Sequence, residues 1–243
     1  MKRCLFKRFI RVKDREKALP LENQRDLSSN SELGSYVTIV HSPINPHFLY
    51  NTLECIRGEA LLSGNKNIEE MTSLLSSFFR YSISFMGDLV TLNDELQNIS
   101  QYVAIQKFRF YDRFSLEISK EIDTDPRQLI VPKMILQPIV ENSIIHGFSN
   151  IISGGIIRVF ITQSDQNLTI EISDNGIGIP DEVLNVINSE VQNDKATHQG
   201  IAIQDIRNRI KSQFGKEYGI RLYSTVDVGT QAIITLPVQI KPF

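Results

Sequence analysis

The sequence predicts an α+β protein in which amphipathic helices come first and a mixed sheet backed by helices follows. Three observations carry this. Apolar residues recur at steps of three and four between Asn45 and Phe110, the spacing of one helix face. From about Ser115 the period shortens to two, that of a half-buried strand. The remaining elements then read β-α-β-β-α-β-β, the order of one mixed sheet with helices on one face.

The elements follow in order. Residues 18–36 are polar, with Pro20, Ser28–Asn30 and Gly34, and read as a linker. Asn45 is placed to cap a helix with Pro46 as its first residue. Leu49, Leu53, Ile56, Ala60 and Leu61 form its apolar face, and Gly64–Asn65 ends it. A second helix spans about Ile68 to Phe85, with Met71, Leu74, Leu75, Phe78, Phe79 and Ile83 apolar. A lone hairpin cannot bury both broad apolar faces, whereas a dimeric four-helix bundle does. Thr91 caps a third helix, with Asp94 at the capping-box spacing. A strand with Leu116 and Ile118 follows, then a helix after Pro132 through Ile135, Leu136, Ile139, Val140 and Ile144. Strands at 156–162 and 168–173, a helix near 201–214 and strands at 220–225 and 231–238 complete the chain.

Composition narrows the class. The 243 residues are 41% hydrophobic and 22% charged, which excludes wholesale disorder and a collagen-like fibre. No apolar run approaches the ~18 residues of a membrane-spanning helix. The opening MKRCLFKRFIRVK has no apolar stretch and is not expected to be a secretory leader. Cys4 and Cys55 make no C-x-x-C pair, so a disulfide framework is excluded and a reducing cytoplasm is expected. The net charge of −2 hides an asymmetry: residues 1–30 hold nine Lys/Arg against four Asp/Glu, a +5 arm on a −7 remainder. An acidic body disfavours a nucleic-acid module, and the arm suits a solvated tail or an anionic membrane face.

Four segments carry chemistry. In Asn45-Pro-His-Phe-Leu-Tyr-Asn-Thr52, a proline-led first turn fixes and exposes His47. In Leu136-Gln-Pro-Ile-Val-Glu-Asn-Ser-Ile-Ile-His-Gly147, Glu141 and Asn142 lie mid-helix, where burial without partners is costly. Either both face solvent, or Asn142 offers oxygen to a hard cation such as Mg²⁺. In Asp174-Asn-Gly-Ile-Gly-Ile-Pro180, Gly176 and Gly178 let a backbone approach a ligand, and Asp174 can accept from an exocyclic amine; a plain turn fits the same residues. In Gly200-Ile-Ala-Ile-Gln-Asp-Ile-Arg-Asn-Arg209, a glycine precedes a helix start, a place that favours anions.

In this order the four segments resemble the cytoplasmic half of sensor histidine kinases of the LytS/YesM type. Leu89-Val-Thr-Leu-Asn-Asp-Glu-Leu96, Tyr102, Ile105-Gln-Lys-Phe-Arg-Phe110 and Asp112-Arg113-Phe114 agree with that family too. The resemblance covers roughly residues 42–238. It implies a basic arm and linker (1–36), phosphoacceptor and dimerisation helices (37–114) and a Bergerat (GHKL) α/β sandwich that binds ATP (115–243). It makes His47 the phosphoacceptor. Asn142 would hold Mg²⁺ bridging the ATP phosphates, and Asp174 would bond the adenine amino group. Gly176 and Gly178 would shape the adenine pocket, Gly200 would be a hinge, Thr230 would support the adenine, and 180–199 would be a mobile lid. Asn51 is the nearest polar group to orient the His47 ring, and Glu141 is either a general base or a carboxylate tuning the metal.

The implied activity is ATP-dependent autophosphorylation of His47 by a homodimer, with transfer to an aspartate of a response regulator. The basic arm then falls where a juxtamembrane segment emerges, so a cytoplasmic protein at the inner membrane face, or one lacking its membrane sensor, is expected. Four positions depart from the family pattern: Ile145 for a basic residue, Ala202 and Ile203 in the second glycine box, and Pro43 in the helix leading to His47. They motivate an alternative, a pseudokinase that dimerises and docks a regulator. A further rival is a GHKL kinase acting on Ser/Thr of another protein.

Overall fold

The helical period of the first half becomes three helices in the computed structural model, which describes residues 46–83, 87–189 and 198–241. The basic arm, the linker, Pro43, Asn45 and positions 190–197 of the expected lid lie outside the described residues. Helix α1 (Pro46–Leu62) and helix α2 (Lys66–Ile83) form the hairpin, broken at Gly64 with φ +71°. The Tyr50 hydroxyl joins them by donating to the Phe79 carbonyl at 3.1 Å. Strand β1 (Leu89–Thr91) leads into α3 (Leu92–Phe110). The expected capping box is present: Asp94 N–H donates to Thr91 Oγ1 at 3.1 Å, and Thr91 N–H donates back to Asp94 Oδ2 at 3.1 Å.

The sheet is built from β2 (Phe114–Glu121), β4 (Gly155–Gln163), β5 (Asn167–Asp174), β7 (Gly229–Pro237) and β6 (Gly219–Thr225), in that spatial order. Among these described strands, the neighbours β2 and β4 are parallel and the other neighbouring pairs antiparallel. The short strand β3 (Ile130–Pro132) pairs with β1 in a separate ribbon. Strict alternation buries Ile157, Val159, Ile161, Ile170, Ile172, Ala232 and Ile234 on one sheet face. There they meet Ile99 of α3, Val140 and Ile206 in a common core. Arg158, Arg221 and Tyr223 alternate to the opposite, exposed side.

Two expectations are corrected. The helix after Pro132 does not begin there. Met134 takes φ +58°, and α4 starts only at Gln137 (Gln137–Asn142), continuing as a π-helical turn over Ser143–Gly147. The reason is that the Met134, Ile135 and Leu136 N–H groups are taken by the buried Glu95 carboxylate of α3. The stretch 180–199, expected as a mobile loop, is not loop throughout. Residues Asp181–Asn188 form helix α5, with Ile187 buried. Asn188 behaves as a strand partner to the sheet edge: its amide donates to Leu222 O at 2.8 Å and accepts Leu222 N–H at 3.1 Å. Pairing of this kind blunts an edge strand. Helix α6 (His198–Phe214) then packs over β6 and β7.

Candidate active site

A cavity of about 320 Å³ opens between the helices and the buried sheet face. Its walls are mostly apolar: Ile139 of α4, Ile172 of β5, Ile179, Ile203 of α6, Leu222 and Ala232. Asn142, Asp174, Gly178 and Thr230 line the same cavity, so four of the residues singled out in the sequence converge there.

Asp174 is fixed at the end of β5, opposite Thr230 of β7 and Ile157 of β4. Its Oδ2 accepts from the Ser143 hydroxyl at 2.6 Å. Its Oδ1 accepts the Gly176 N–H at 2.9 Å and the Thr230 N–H at 3.3 Å. The carboxylate therefore organises three chain segments while lining the cavity. Gly176 sits behind it: a Cβ there would lie 2.6 Å from the Gly147 carbonyl, to which Ile177 N–H donates at 2.9 Å. Gly178 has φ +72°, and a Cβ would collide with the Thr225 carbonyl. Both glycines are thus required by close backbone approach. Asn175 pins the loop, accepting from Ile156 N–H at 2.6 Å and donating to Gly154 O at 3.0 Å. Thr230 Oγ1 lies 3.0 Å from Ser224 Oγ, which also takes the Ile179 N–H at 2.8 Å.

Other expected site residues lie elsewhere. Glu141 does not line the cavity. It lies beside Tyr102 of α3, whose hydroxyl is pushed up to about 12 by burial and by the Glu141 charge. Gly200 falls in the first turn of α6. His47 and Asn51 occupy successive turns of α1, with the Asn51 amide nitrogen 3.3 Å from both ring nitrogens. His47 is exposed, as is Phe48 beside it at 68%. Of the family departures, Ile145 is exposed and off the cavity wall, whereas Ile203 is 2% exposed and part of it.

Sequence reasoning missed three residues. Ser143 holds Asp174, and its only signal was its place beside Asn142. Arg207 of α6 is buried and donates to Ile187 O at 3.1 Å and Gln204 Oε1 at 2.6 Å, tying α5 to α6. Glu95 is fully buried. Burial holds its carboxyl above the ordinary range, against the pull of the Tyr81 hydroxyl and three backbone N–H groups. Among the described residues, no cluster of three His, Cys, Asp or Glu side chains is placed to hold a metal.

An apolar cavity on the helix-covered face of a mixed sheet, with one backbone-anchored aspartate and a glycine loop, is that of a GHKL-type ATPase domain. Residues 128–240 match the family of histidine kinase-, DNA gyrase B- and HSP90-like ATPases. Residues 36–114 match the histidine kinase family. The chain thus carries the histidine kinase and ATPase regions found in sensor histidine kinases of the LytS/YesM type. It is similar to the sensor histidine kinase YesM of Bacillus subtilis, 34% identical over 82% of this chain and 32% of that protein. BtsS of Escherichia coli is 30% identical over 89% of this chain and 35% of its own length. The sensor protein kinase HptS of Staphylococcus aureus is 33% identical over 82% of this chain and 37% of its own length. The chain thus spans about a third of the length of these curated relatives. No described helix is long and apolar enough to cross a membrane.

Proposed function

We propose that this chain is the catalytic portion of a two-component sensor kinase that transfers the γ-phosphoryl group of ATP to His47, and from there to an aspartate of a response regulator. The observation that carries the reading is the anchored Asp174 in an apolar cavity with a glycine-lined rim. An adenine ring fits such walls, and its exocyclic amine supplies the donor that a carboxylate accepts. Gly176 and Gly178, where a Cβ would strike backbone, let the loop after Asp174 pack closely on Gly147 and Thr225 at the edge of that cavity.

The residues then divide the work. Asp174 orients the base, and Thr230 supports it from β7. Asn142 is the oxygen donor placed on the cavity wall, and with the phosphates it would hold Mg²⁺. Bound there, Mg²⁺ would neutralise phosphate charge, which with positioning makes up nearly all of catalysis in phosphoryl transfer. Gly200, in the first turn of α6, would let that helix follow the lid over the nucleotide. His47 supplies a nitrogen lone pair. The new N–P bond forms as the bond to the β-phosphate bridging oxygen breaks, ADP leaves, and the ring proton passes to solvent. Asn51 holds the ring from the next turn of α1. Glu141, off the cavity lining and beside Tyr102, is assigned no proton transfer.

Phe48, Ile56, Leu61 and Leu62 leave apolar surface exposed on α1, and Ile68 does so on α2, which supports burial of the hairpin in a homodimer. The basic arm suits contact with the inner leaflet from the cytoplasm. Because Ile145 stands off the cavity and Ile203 completes its wall, an active kinase is favoured over a pseudokinase. Radiolabelled ATP with Mg²⁺ is expected to give an acid-labile, alkali-stable phosphoprotein. An acid-stable label on a hydroxyl of a second protein would replace this reading with that of a Ser/Thr kinase.

A further inference from the structure

The segment 133–136, which joins β3 to α4, is held from three sides. The N–H groups of Met134, Ile135 and Leu136 donate to Glu95, the last two at 2.9 Å each. The Lys133 carbonyl accepts from Arg209 of α6 at 2.5 Å. From the hairpin, the Tyr81 hydroxyl donates to the same Glu95 oxygen that Met134 uses. The Lys133 ammonium lies 5.1 Å from the centre of the Tyr81 ring. Each Glu95 oxygen thus meets two partners, Tyr81 and Met134 on Oε1, Ile135 and Leu136 on Oε2.

Neither Tyr81 nor Glu95 touches the cavity, yet together they join the hairpin to the segment that enters α4. Tyr81 is on α2, bonded through Phe79 to the α1 helix that bears His47. The segment held by Glu95 runs straight into α4, which bears Asn142 and leads into the turn of Ser143, partner of Asp174. We propose that the Tyr81–Glu95 bond is a latch that sets the hairpin against the entry to α4, making both side chains positioning residues for phosphoryl transfer, a role that rests on the kinase reading above. The latch acts on the geometry between phosphoacceptor and nucleotide, not on nucleotide binding itself.

Tyr81→Phe keeps the ring and its contact with Lys133 and removes only the hydroxyl. Three quantities are read in the full chain: amide exchange at 134–136, ATP affinity by calorimetry, and the rate of His47 labelling at saturating ATP. Exchange is expected to rise and labelling to fall, each roughly tenfold, with ATP affinity within about twofold of the parent. Glu95→Gln, which sets an amide donor against backbone donors, is expected to exceed both effects. Parental exchange at 134–136 in Tyr81→Phe overturns the latch, whatever the labelling. Faster exchange with parental labelling overturns the positioning role. A parent chain that binds ATP and never labels His47 overturns the kinase reading instead, and exchange still decides the latch.

Discussion

The Ser143 hydroxyl donates to Oδ2 of Asp174 at 2.6 Å, joining the π-helical turn that follows Asn142 to the end of β5. A single bond thereby links the helix expected to face the phosphates with the carboxylate expected to face the base. It also explains why the carboxylate cannot rotate, since its other oxygen is held by the Gly176 and Thr230 N–H groups.

Asp174→Asn places an amide donor among these donors. Nucleotide affinity is expected to fall roughly ten- to a hundredfold, as for loss of hydrogen bonds to a charged group. Ser143→Ala removes one neutral donor and should cost about fivefold. Calorimetric titration with ATP measures both.

Gly178 and Gly58 should respond to alanine with opposite signs. Gly178 has φ +72° and faces the Thr225 carbonyl, so Gly178→Ala is expected to lower stability by about 1–3 kcal/mol. Gly58 lies inside α1 with nothing within 4 Å of a Cβ, so Gly58→Ala should raise it by about 0.5–1 kcal/mol. Thermal unfolding of the two variants checks the pair.

Local signals made much of this legible. The Thr91–Asp94 capping box, the alternating strands and the glycine loop after Asp174 each depend on neighbours in sequence, and each stands where it was expected. Glu95 was not legible, because an acid in the first turn of a helix ordinarily serves the helix dipole in solvent. Its burial comes from residues about 40 positions away. Asn188 and Ser189 gave α5 the composition of a loop, while the Asn188 amide in fact completes the edge of β6. Strands β1 and β3 are three residues each, too short for a period to register.

The Tyr102 hydroxyl offers a pH test of the Glu141 placement. Burial, then the Glu141 charge, raise it from 10.0 to about 12 in the folded chain. A raised value means that its stabilising contribution is complete below pH 10 and is lost as pH rises from 10 towards about 12. The urea midpoint should therefore fall less steeply across that window in Tyr102→Phe than in the parent. Glu141→Gln should move the Tyr102 ionisation, followed by ultraviolet absorbance, to lower pH.

Asn51 is expected to matter for transfer and not for nucleotide binding. It lies on α1 beside His47 and off the cavity wall. Asn51→Ala should slow His47 labelling about fivefold, the worth of one ordinary hydrogen bond, with ATP affinity unchanged.

The most direct test of the account is the identity of the labelled residue. With radiolabelled ATP and Mg²⁺, the parent chain should acquire an acid-labile phosphoryl group, and His47→Gln should acquire none while binding ATP as the parent does. Equal labelling of His47→Gln and the parent would contradict the account.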